Sequence, residues 1–208
     1  MMAQKVHDVI FISEVKEYDS TSNCPATYTG YKFEQYLTSD KPDGVPNTDV
    51  PVDNRPTFEL MVSTDLVVGD ETLKLTCGAE IDSLRNEQDV VELKTVWEKE
   101  GAKKRIDRSM NMVLQSEIIG TKQFVLGTKR GDIRRRVCKV IKIEEKTMDE
   151  IKNTGDTEKK TSQCYGFLFD VLSEVKSFLG SNEACEIAFH PSQRIVSIRS
   201  ISQMEAQS

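Results

Sequence analysis

The sequence contains little histidine and no cysteine pattern that is typical of metal sites. Its only two histidines, His7 and His190, stand near opposite ends of the 208 residues. This spacing disfavours a histidine-based triad or acid–base pair, so catalysis would depend on carboxylates, lysine and a metal ion. The five cysteines are scattered and form no C-x-x-C pair, which supports neither a disulfide framework nor a zinc site. We therefore expect a reducing, intracellular compartment.

Long apolar runs and glycine-rich phosphate loops are also absent. The N-terminal segment has an apolar run of only four residues, Val9–Ile12, so neither a signal peptide nor a membrane span is predicted. Neither G-x-x-x-x-G-K-[ST] nor G-x-G-x-x-G occurs. The net charge of −6 argues mildly against nucleic-acid binding, but the basic residues are clustered and several acids are candidate metal ligands. The length predicts a single domain over residues 1–208, with residues 201–208 as a disordered tail.

The stretch from Leu73 to Trp97 alternates with the period of a β-strand. Its odd positions are mainly apolar, whereas the even positions include Glu80, Asp82, Glu92 and Lys94. An antiparallel hairpin whose paired numbers sum to 174 would place Asp82 opposite Glu92 and Glu80 opposite Lys94, all on one face. Three crowded carboxylates repel unless a cation joins them, and oxygen ligands suit Mg²⁺ or Mn²⁺. The alternative is a solvated hairpin face with a lone ion pair.

Further elements are predicted by the same rules. Strands are expected at Val9–Glu14, Phe58–Val68, Gln123–Thr128, Arg134–Ile143, Glu186–Phe189 and Arg194–Ile201, and a helix at Tyr165–Leu179. Phe33, Tyr36 and Leu37 recur at helical spacing, and Ile106, Met110, Val113 and Leu114 form the apolar stripe of a later helix. Turns are expected at Gly69–Asp70 and Lys129–Asp132, a capping box at Thr147–Glu150, a covering loop at Asp40–Pro56 and a polar loop at Asn153–Gln163.

Several polar residues stand on or beside these helical stripes. Glu34 follows Phe33, and Gln115 lies at the stripe edge of the later helix. Lys103, Lys104, Arg105 and Arg108 crowd the first half of that helix. Beside an acidic metal cleft such a basic helix would hold phosphates. The alternative for the acid and for the basic run is a solvated helix face.

Two levels of motif resemble known nucleases. Asp82-x9-Glu92-Leu-Lys94 resembles the core of the PD-(D/E)xK superfamily. The ordered set G-Y-K-F-E (30–34), E-I-D (80–82), E-L-K (92–94) and L-Q-S (114–116) resembles the DXO family, from about Val9 to Ile201. These are RNA 5′-end decapping and 5′→3′ exoribonuclease enzymes, and the family includes the partner subunit of the nuclear 5′→3′ exoribonuclease. The resemblance implies an α+β fold with a central mixed β-sheet, flanking helices and a PD-(D/E)xK nuclease-like core.

The same resemblance implies roles for individual residues. The metal ligands would be Glu34, Glu80, Asp82, Glu92 and the main-chain carbonyl of Leu93, with Mg²⁺ or Mn²⁺ as the cofactor and two ions in each site. Lys94 and Gln115 would orient the attacking water and the scissile phosphate, so substrate contacts would come from Glu34, Lys94 and Gln115. The basic residues Lys103, Lys104, Arg105 and Arg108 are further candidates for substrate contacts, on the charge argument above and not on the resemblance. The chain is N-terminally short relative to the family, whose members have a longer segment with an arginine motif that contacts RNA. We therefore expect part of the substrate wall to be absent, as in a shortened paralogue or an incomplete gene product.

Three functions compete on this evidence. The leading hypothesis is a metal-dependent hydrolase that acts on RNA 5′ ends, removes incomplete or non-standard caps, including NAD-type caps, and degrades RNA from the 5′ end. The intact acidic set favours it. The second is a catalytically weak or inactive paralogue that binds and stabilises an exoribonuclease partner, which the short N-terminus favours. The third is a divalent-ion-binding protein without a nucleic-acid role. We expect nuclear localisation, a role in mRNA quality control, no preference for DNA and no membrane association.

Overall fold

The computed structural model describes residues 1–14, 25–52, 58–86, 89–132, 137–181 and 183–201, without the side chains of residues 25 and 26. In chain order the elements are β1 (Met2–Val6), β2 (Val9–Ser13), α1 (Pro25–Leu37), β3 (Glu59–Val68), β4 (Glu71–Glu80), β5 (Ser83–Arg85), β6 (Asp89–Trp97), α2 (Ala102–Glu117), β7 (Gln123–Asp132), β8 (Val137–Thr147), α3 (Met148–Lys152), α4 (Thr157–Phe178), β9 (Ala184–His190) and β10 (Ile195–Ser200). No described helix is both long and apolar enough to cross a bilayer.

Two compact units divide the chain. One contains Met1–Ser20, Val67–Glu71 and Cys164–Ser208, and the other contains Thr21–Leu66 and Thr72–Gln163. We call them the terminal unit and the central unit. The expectation of a single domain over residues 1–208 stays a prediction.

The terminal unit is an antiparallel sheet in the order β10-β9-β1-β2. Its core contains the buried residues Ala3, Val175, Leu179, Cys185 and Ile187. Val175 and Leu179 stand four residues apart on one helical face, which is the spacing that packs a helix against a sheet. The first residue is fixed to the sheet as well, because the Met1 amino group donates to the Ile187 carbonyl at 2.9 Å.

The central unit contains a mixed sheet in the order β5-β6-β7-β8 and most of a two-stranded ribbon of β3 and β4. β6 and β7 run parallel, and α2 is the crossover that joins them, whereas β5 and β8 are antiparallel to their neighbours. A parallel pair requires such a crossover because a tight turn cannot return the chain to the same end. The predicted mixed sheet with flanking helices is confirmed.

Both faces of this sheet are covered. Phe33 of α1 packs with Val91 and Leu93 of β6 on one face, and Met112 of α2 packs with Phe124 of β7 on the other. Because successive strand residues point to opposite faces, β6 contributes apolar side chains to the first face through its odd positions. Its even positions, including the two charged motif residues, are left for the second face.

Most predicted strands and the capping box are confirmed, including the two-residue turn at Gly69–Asp70. The structure adds β1, which was not predicted. The expected turn at Lys129–Asp132 is wrong because these residues extend β7, where Asp132 pairs with Val137 of β8. The connection between these strands, the predicted start of the second strand at Arg134 and residues 202–208 of the predicted tail lie outside the described residues.

Two predictions about helices are also corrected. The polar segment expected to be a loop is helical from Thr157 onwards. The hydroxyls of Thr157 and Thr161 donate to the carbonyls of Thr154 and Glu158, three residues earlier in each case, so these buried polar groups are satisfied locally. In α1, Tyr36 and Leu37 are exposed instead of buried, and only Phe33 of the predicted stripe reaches the core.

Candidate active site

The predicted register of the central hairpin is found between β5 and β6. The described pairs are Ser83 with Val91, Leu84 with Val90 and Arg85 with Asp89, and each pair of numbers sums to 174. The prediction of one continuous hairpin is nevertheless wrong, because β4 ends at Glu80 and pairs with β3 in a separate ribbon.

A backbone hydrogen bond explains this separation. The amide of Ile81 donates to the carbonyl of Phe58 at 3.2 Å, which keeps the end of β4 in the ribbon with β3. The chain then bends at Asp82 before it pairs with β6, so the expected ladder pair of Glu80 with Lys94 does not form.

Asp82 lies at the edge of β6, just beyond the short β5 ladder. Within the described residues β5 pairs with β6 only as far as Val91, so the next amides on this side of β6 have no strand partner. The Asp82 carboxylate accepts the amide N–H of Leu93 at 2.8 Å. This hydrogen bond satisfies an edge donor and at the same time fixes the carboxylate beside the two charged residues of β6.

Lys94 connects the two motif carboxylates. Its Nζ lies 2.5 Å from Glu92 Oε1 and 3.4 Å from Asp82 Oδ2. Glu92 and Lys94 are two residues apart on β6 and therefore share a face. Glu92 is 6% exposed, so its charge is largely removed from water and depends on this ammonium partner.

Glu34 is positioned by its neighbour Phe33, whose ring packs closely on β7. A Cβ placed on Gly127 would lie only 2.7 Å from Cε2 of that ring, so only glycine allows this approach of α1 to the sheet. The other side of α1 holds the following loop, because Lys32 Nζ donates to the Thr48 carbonyl at 3.1 Å. The helix is therefore fixed on two sides.

The electrostatic environment of Glu34 joins the predicted acidic residues into one cluster. Burial raises the pKa of Glu34 to about 7, and the charge of Asp82 is the next contribution. Lys94 opposes the rise, whereas Glu80 and Glu92 add to it. The charges of all four other residues therefore act on Glu34, and when all are ionised the four carboxylates and one ammonium carry a formal charge of −3.

The other two shifted groups of the cluster are Glu92 and Lys94. Burial raises the pKa of Glu92, and the ammonium of Lys94 counteracts this while Asp82 and Glu80 reinforce it. Burial alone would lower the pKa of Lys94, but the carboxylates of Glu92 and Asp82 outweigh it, so that pKa is raised. The lysine is therefore firmly cationic, and it compensates only part of the negative charge around it.

The remaining predicted residues lie outside this cluster. Gln115 is exposed on α2 and makes no hydrogen bond to the acidic residues in the part of the chain that the structure describes. Lys103, Lys104 and Arg105 are exposed on the first turn of α2. Arg108 forms an ion pair with Glu100, with 3.0 Å between its Nη2 and Oε2.

One carboxylate near the cluster was missed. In the ribbon, Ser63 Oγ lies 3.0 Å from Thr76 Oγ1 and Phe58 accepts from Ile81, and both pairs of numbers sum to 139. This register places Glu59 opposite Glu80 on the exposed face. The sequence contained the signal, because a two-residue turn at Gly69–Asp70 already fixes the sum at 139.

The donor set of the cluster fits a hard divalent cation. All of the candidate ligands are oxygens, and the mutual repulsion and burial that raise the pKa of Glu34 would be relieved by added positive charge. Among the described residues, no group of three or more His, Cys, Asp or Glu side chains stands in an arrangement that could hold a metal ion. Lys94 instead lies between Glu92 and Asp82. The individual ligand assignments stay predictions.

Three crystal structures resemble this fold. Candida albicans Rai1 in complex with pU5-Mn²⁺ gives a TM-score of 0.69 at 18% identity, over 99% of this chain and 64% of that one. Scheffersomyces stipitis Rai1 in complex with (3′-NADP)⁺ and a calcium ion gives 0.63 at 18% identity, over 99% and 63%. Another structure of Scheffersomyces stipitis Rai1 gives 0.56 at 20% identity, over 88% and 52%. The chain thus spans less than two thirds of the length of these Rai1 proteins.

At such identities the likeness shows the fold, and it confirms the predicted α+β class. Comparison with curated protein sequences gives no match. The model of the family described as RAI1-like PD-(D/E)XK nuclease matches residues 1–208, as the E-I-D and E-L-K motifs predicted. The chain therefore belongs to the RAI1-like family of PD-(D/E)XK nucleases.

Proposed function

We propose that this protein is a divalent-metal-dependent hydrolase that acts on RNA 5′ ends. It removes incomplete or non-standard caps, including NAD-type caps, and degrades RNA in the 5′→3′ direction. The observation that carries the proposal is the buried carboxylate of Glu92, bridged to Asp82 by Lys94 and placed beside a Glu34 whose pKa is raised to about 7. Two related structures support it, because they contain pU5 with Mn²⁺ and (3′-NADP)⁺ with calcium.

In this proposal the acidic cluster holds Mg²⁺ or Mn²⁺, with two ions in each site. The ligands are Glu34, Glu80, Asp82, Glu92 and the main-chain carbonyl of Leu93. A bound divalent cation would polarise the scissile phosphate and stabilise the negative charge that develops on it. β6 and α1, whose Phe33 packs on Gly127, would hold the carboxylates in position before the substrate binds.

Lys94 has the second role in the proposed reaction. Its ammonium is firmly protonated and one third of its side chain is exposed, so it can donate to a phosphate oxygen and to the attacking water. Cations that neutralise Glu92 and Asp82 would free Lys94 for this contact. Gln115 is proposed to assist from α2, where its exposed amide is available to substrate.

The direct test uses the full chain and 5′-labelled RNAs that carry a triphosphate, an unmethylated cap or an NAD cap, with Mn²⁺, Mg²⁺ or EDTA. We expect release of at least one cap type with metal and none with EDTA. Asp82→Ala and Glu92→Ala should each lower the rate by more than about 100-fold, since each removes a ligand. The matched control is Glu98→Gln, just after the end of β6, which removes an acid that pairs with Arg130 outside the cluster.

Activity of both cluster variants at the parental rate would overturn the assigned site.

DNA of the same sequence should be a poorer substrate than RNA. We also propose nuclear localisation and a role in mRNA quality control, which imaging of the tagged full-length protein would test. Exclusion of the protein from nuclei would contradict this part.

A second candidate is a weak or inactive paralogue that binds and stabilises a 5′→3′ exoribonuclease. One observation favours it: the ammonium of Lys94 already neutralises part of the charge of Glu92 and Asp82, the two acids that it bridges. An inert parent with every cap, together with retained Mn²⁺ binding and stabilisation of an added exoribonuclease, would support this candidate over the enzyme.

A further inference from the structure

A group of exposed cations lies at the carboxyl end of β6. Lys99, Lys103, Lys104 and Arg105 are all exposed, and together they define what we call the basic turn. Such a concentration of positive charge is unusual in a chain whose net charge is −6.

Two acids beside the basic turn, Glu98 and Glu100, are already paired with arginines of the central unit. Glu98 is bound by Arg130, and Glu100 is bound by Arg108 at 3.0 Å. Lys103 and Lys104 form no ion pair with any residue that the structure describes. Lys103 and Lys104 are therefore presented to solvent without a paired carboxylate, beside the exposed Lys99 and Arg105.

Helix stability does not explain these cations. Lys103, Lys104 and Arg105 occupy the first turn of α2, where the partial positive charge of the helix dipole disfavours lysine and arginine. The N-cap residue Gly101 makes no side-chain cap hydrogen bond, and the first turn contains no acid. The lysines thus oppose the local field of the helix, and this cost is offset when an external anion binds to them.

The position of the basic turn relates it to the acidic cluster. Lys94 and Trp97 lie three residues apart on β6, or about 10 Å, and the basic turn follows directly. Both belong to the central unit. A chain bound at Lys94 that continues past the carboxyl end of β6 therefore meets these cations, and the carboxyl ends of parallel strands are common sites of ligand binding.

We propose that the basic turn binds the phosphodiester backbone of the nucleotides that follow the 5′ end of the RNA. The position of that 5′ end rests on the proposed function of the acidic cluster. The basic turn thereby makes the enzyme prefer long RNA over a free cap dinucleotide, because only a longer strand reaches from the cluster to the lysines. The contact is with phosphates and reads no base sequence.

The first measurement is binding of a fluorescent 5′-phosphorylated RNA decamer in EDTA, where hydrolysis cannot interfere. The double variant Lys103→Gln/Lys104→Gln is compared with Lys139→Gln/Lys159→Gln, which removes two exposed lysines elsewhere in the central unit. Each lost phosphate contact should weaken binding about threefold at moderate salt, or about tenfold for the pair, and lower the salt slope by about 1.4. The control should bind as the parent does. Thermal melts should show no loss of stability, which excludes a merely structural role.

The second measurement separates this inference from the proposed function. With Mn²⁺, the double variant should raise KM for an NAD-capped decamer about tenfold relative to the Lys139→Gln/Lys159→Gln control. It should raise KM for NAD itself much less, because NAD is too short to reach the lysines. If the parent hydrolyses capped RNA and the double variant matches the control in both binding and KM, the RNA-binding role of the basic turn is overturned and the proposed function stands. If the parent is inert and the double variant still binds RNA more weakly in EDTA, the proposed function is overturned and the RNA-binding role of the basic turn is supported.

Discussion

Glu34→Gln is expected to stabilise the metal-free protein at alkaline pH. The carboxylate of Glu34 is part-buried among other acids, and its pKa is raised from 4.5 to about 7, first by burial and then by Asp82. A raised acid pKa means that the folded state binds the proton more tightly than the unfolded chain does. The stabilisation from this proton is complete below about pH 4.5 and is lost as the pH rises to about 7.

The size of the effect follows from the same values. At about 1.4 kcal/mol for each pKa unit, the rise from 4.5 to about 7 corresponds to at most about 3.4 kcal/mol. Water screens a part-buried group, so we reduce this to about 1–2 kcal/mol. Glutamine resembles the protonated acid, and Glu34→Gln should therefore exceed the parent by this amount at pH 8 and by little at pH 5.

The assay is urea unfolding in EDTA, followed by the fluorescence of Trp97. This is the only tryptophan of the chain and lies on β6 of the central unit, so its signal reports on the sheet next to the cluster. Glu174→Gln, on an exposed position of α4, is the matched control and should show no such dependence on pH. A Glu34→Gln protein that is no more stable than the parent at pH 8, or whose advantage is the same at pH 5, would refute the electrostatic reasoning.

Three further perturbations test the cluster and its support. Lys94→Met leaves the buried charge of Glu92 uncompensated and should destabilise the central unit by about 2 kcal/mol. The cost is less than for a fully buried pair because 34% of the Lys94 side chain is exposed. A urea midpoint equal to the parent's would contradict this. Gly127→Ala forces a Cβ against the ring of Phe33 and should lower the free energy of unfolding by about 1–3 kcal/mol. Gly78→Ala, whose new Cβ would have its nearest contact 3.8 Å away, should lower it less. Equal losses of stability would show that the ring contact is unimportant. Mn²⁺ at 100 times its dissociation constant should add about 2.7 kcal/mol of stability to the parent and none to Asp82→Ala/Glu92→Ala, and melts unchanged between EDTA and millimolar Mn²⁺ would count against a metal site.

The residues of the cluster could be predicted from sequence because they depend on strand parity and on motifs. Glu92 and Lys94 share a face whatever the neighbouring strand does, and the register sum of 174 is found in the pairs that form. The partner strand of β4 was not predicted correctly. Both β3 and β6 have an alternating pattern that suits β4, and the choice between them depends on the backbone hydrogen bond from Ile81 to Phe58, which no local pattern specifies.

The burial and pairing of individual side chains could not be predicted from the sequence either. Removal of an acid from a repelling cluster is expected, from sequence alone, to maintain or raise stability. The structure changes this expectation for Asp82, whose carboxylate accepts the Leu93 amide, since loss of such a hydrogen bond costs about 1 kcal/mol. Likewise the sequence placed Tyr36 in the core by periodicity, but a helix that contacts the sheet mainly through Phe33 over Gly127 leaves that ring outside.

The hydrogen bond between Asp82 and Leu93 has a consequence for solubility. An uncovered strand edge is a template on which a second molecule can add its own strand, and a charged group placed on it prevents such pairing. Asp82 therefore protects the edge of β6 against self-association in addition to its place in the acidic cluster. Variants that lose this carboxylate should form intermolecular β-structure more readily, whereas Glu92 variants keep the edge covered. The two acids of the motif thus differ in how far each protects the strand edge against pairing with a second molecule.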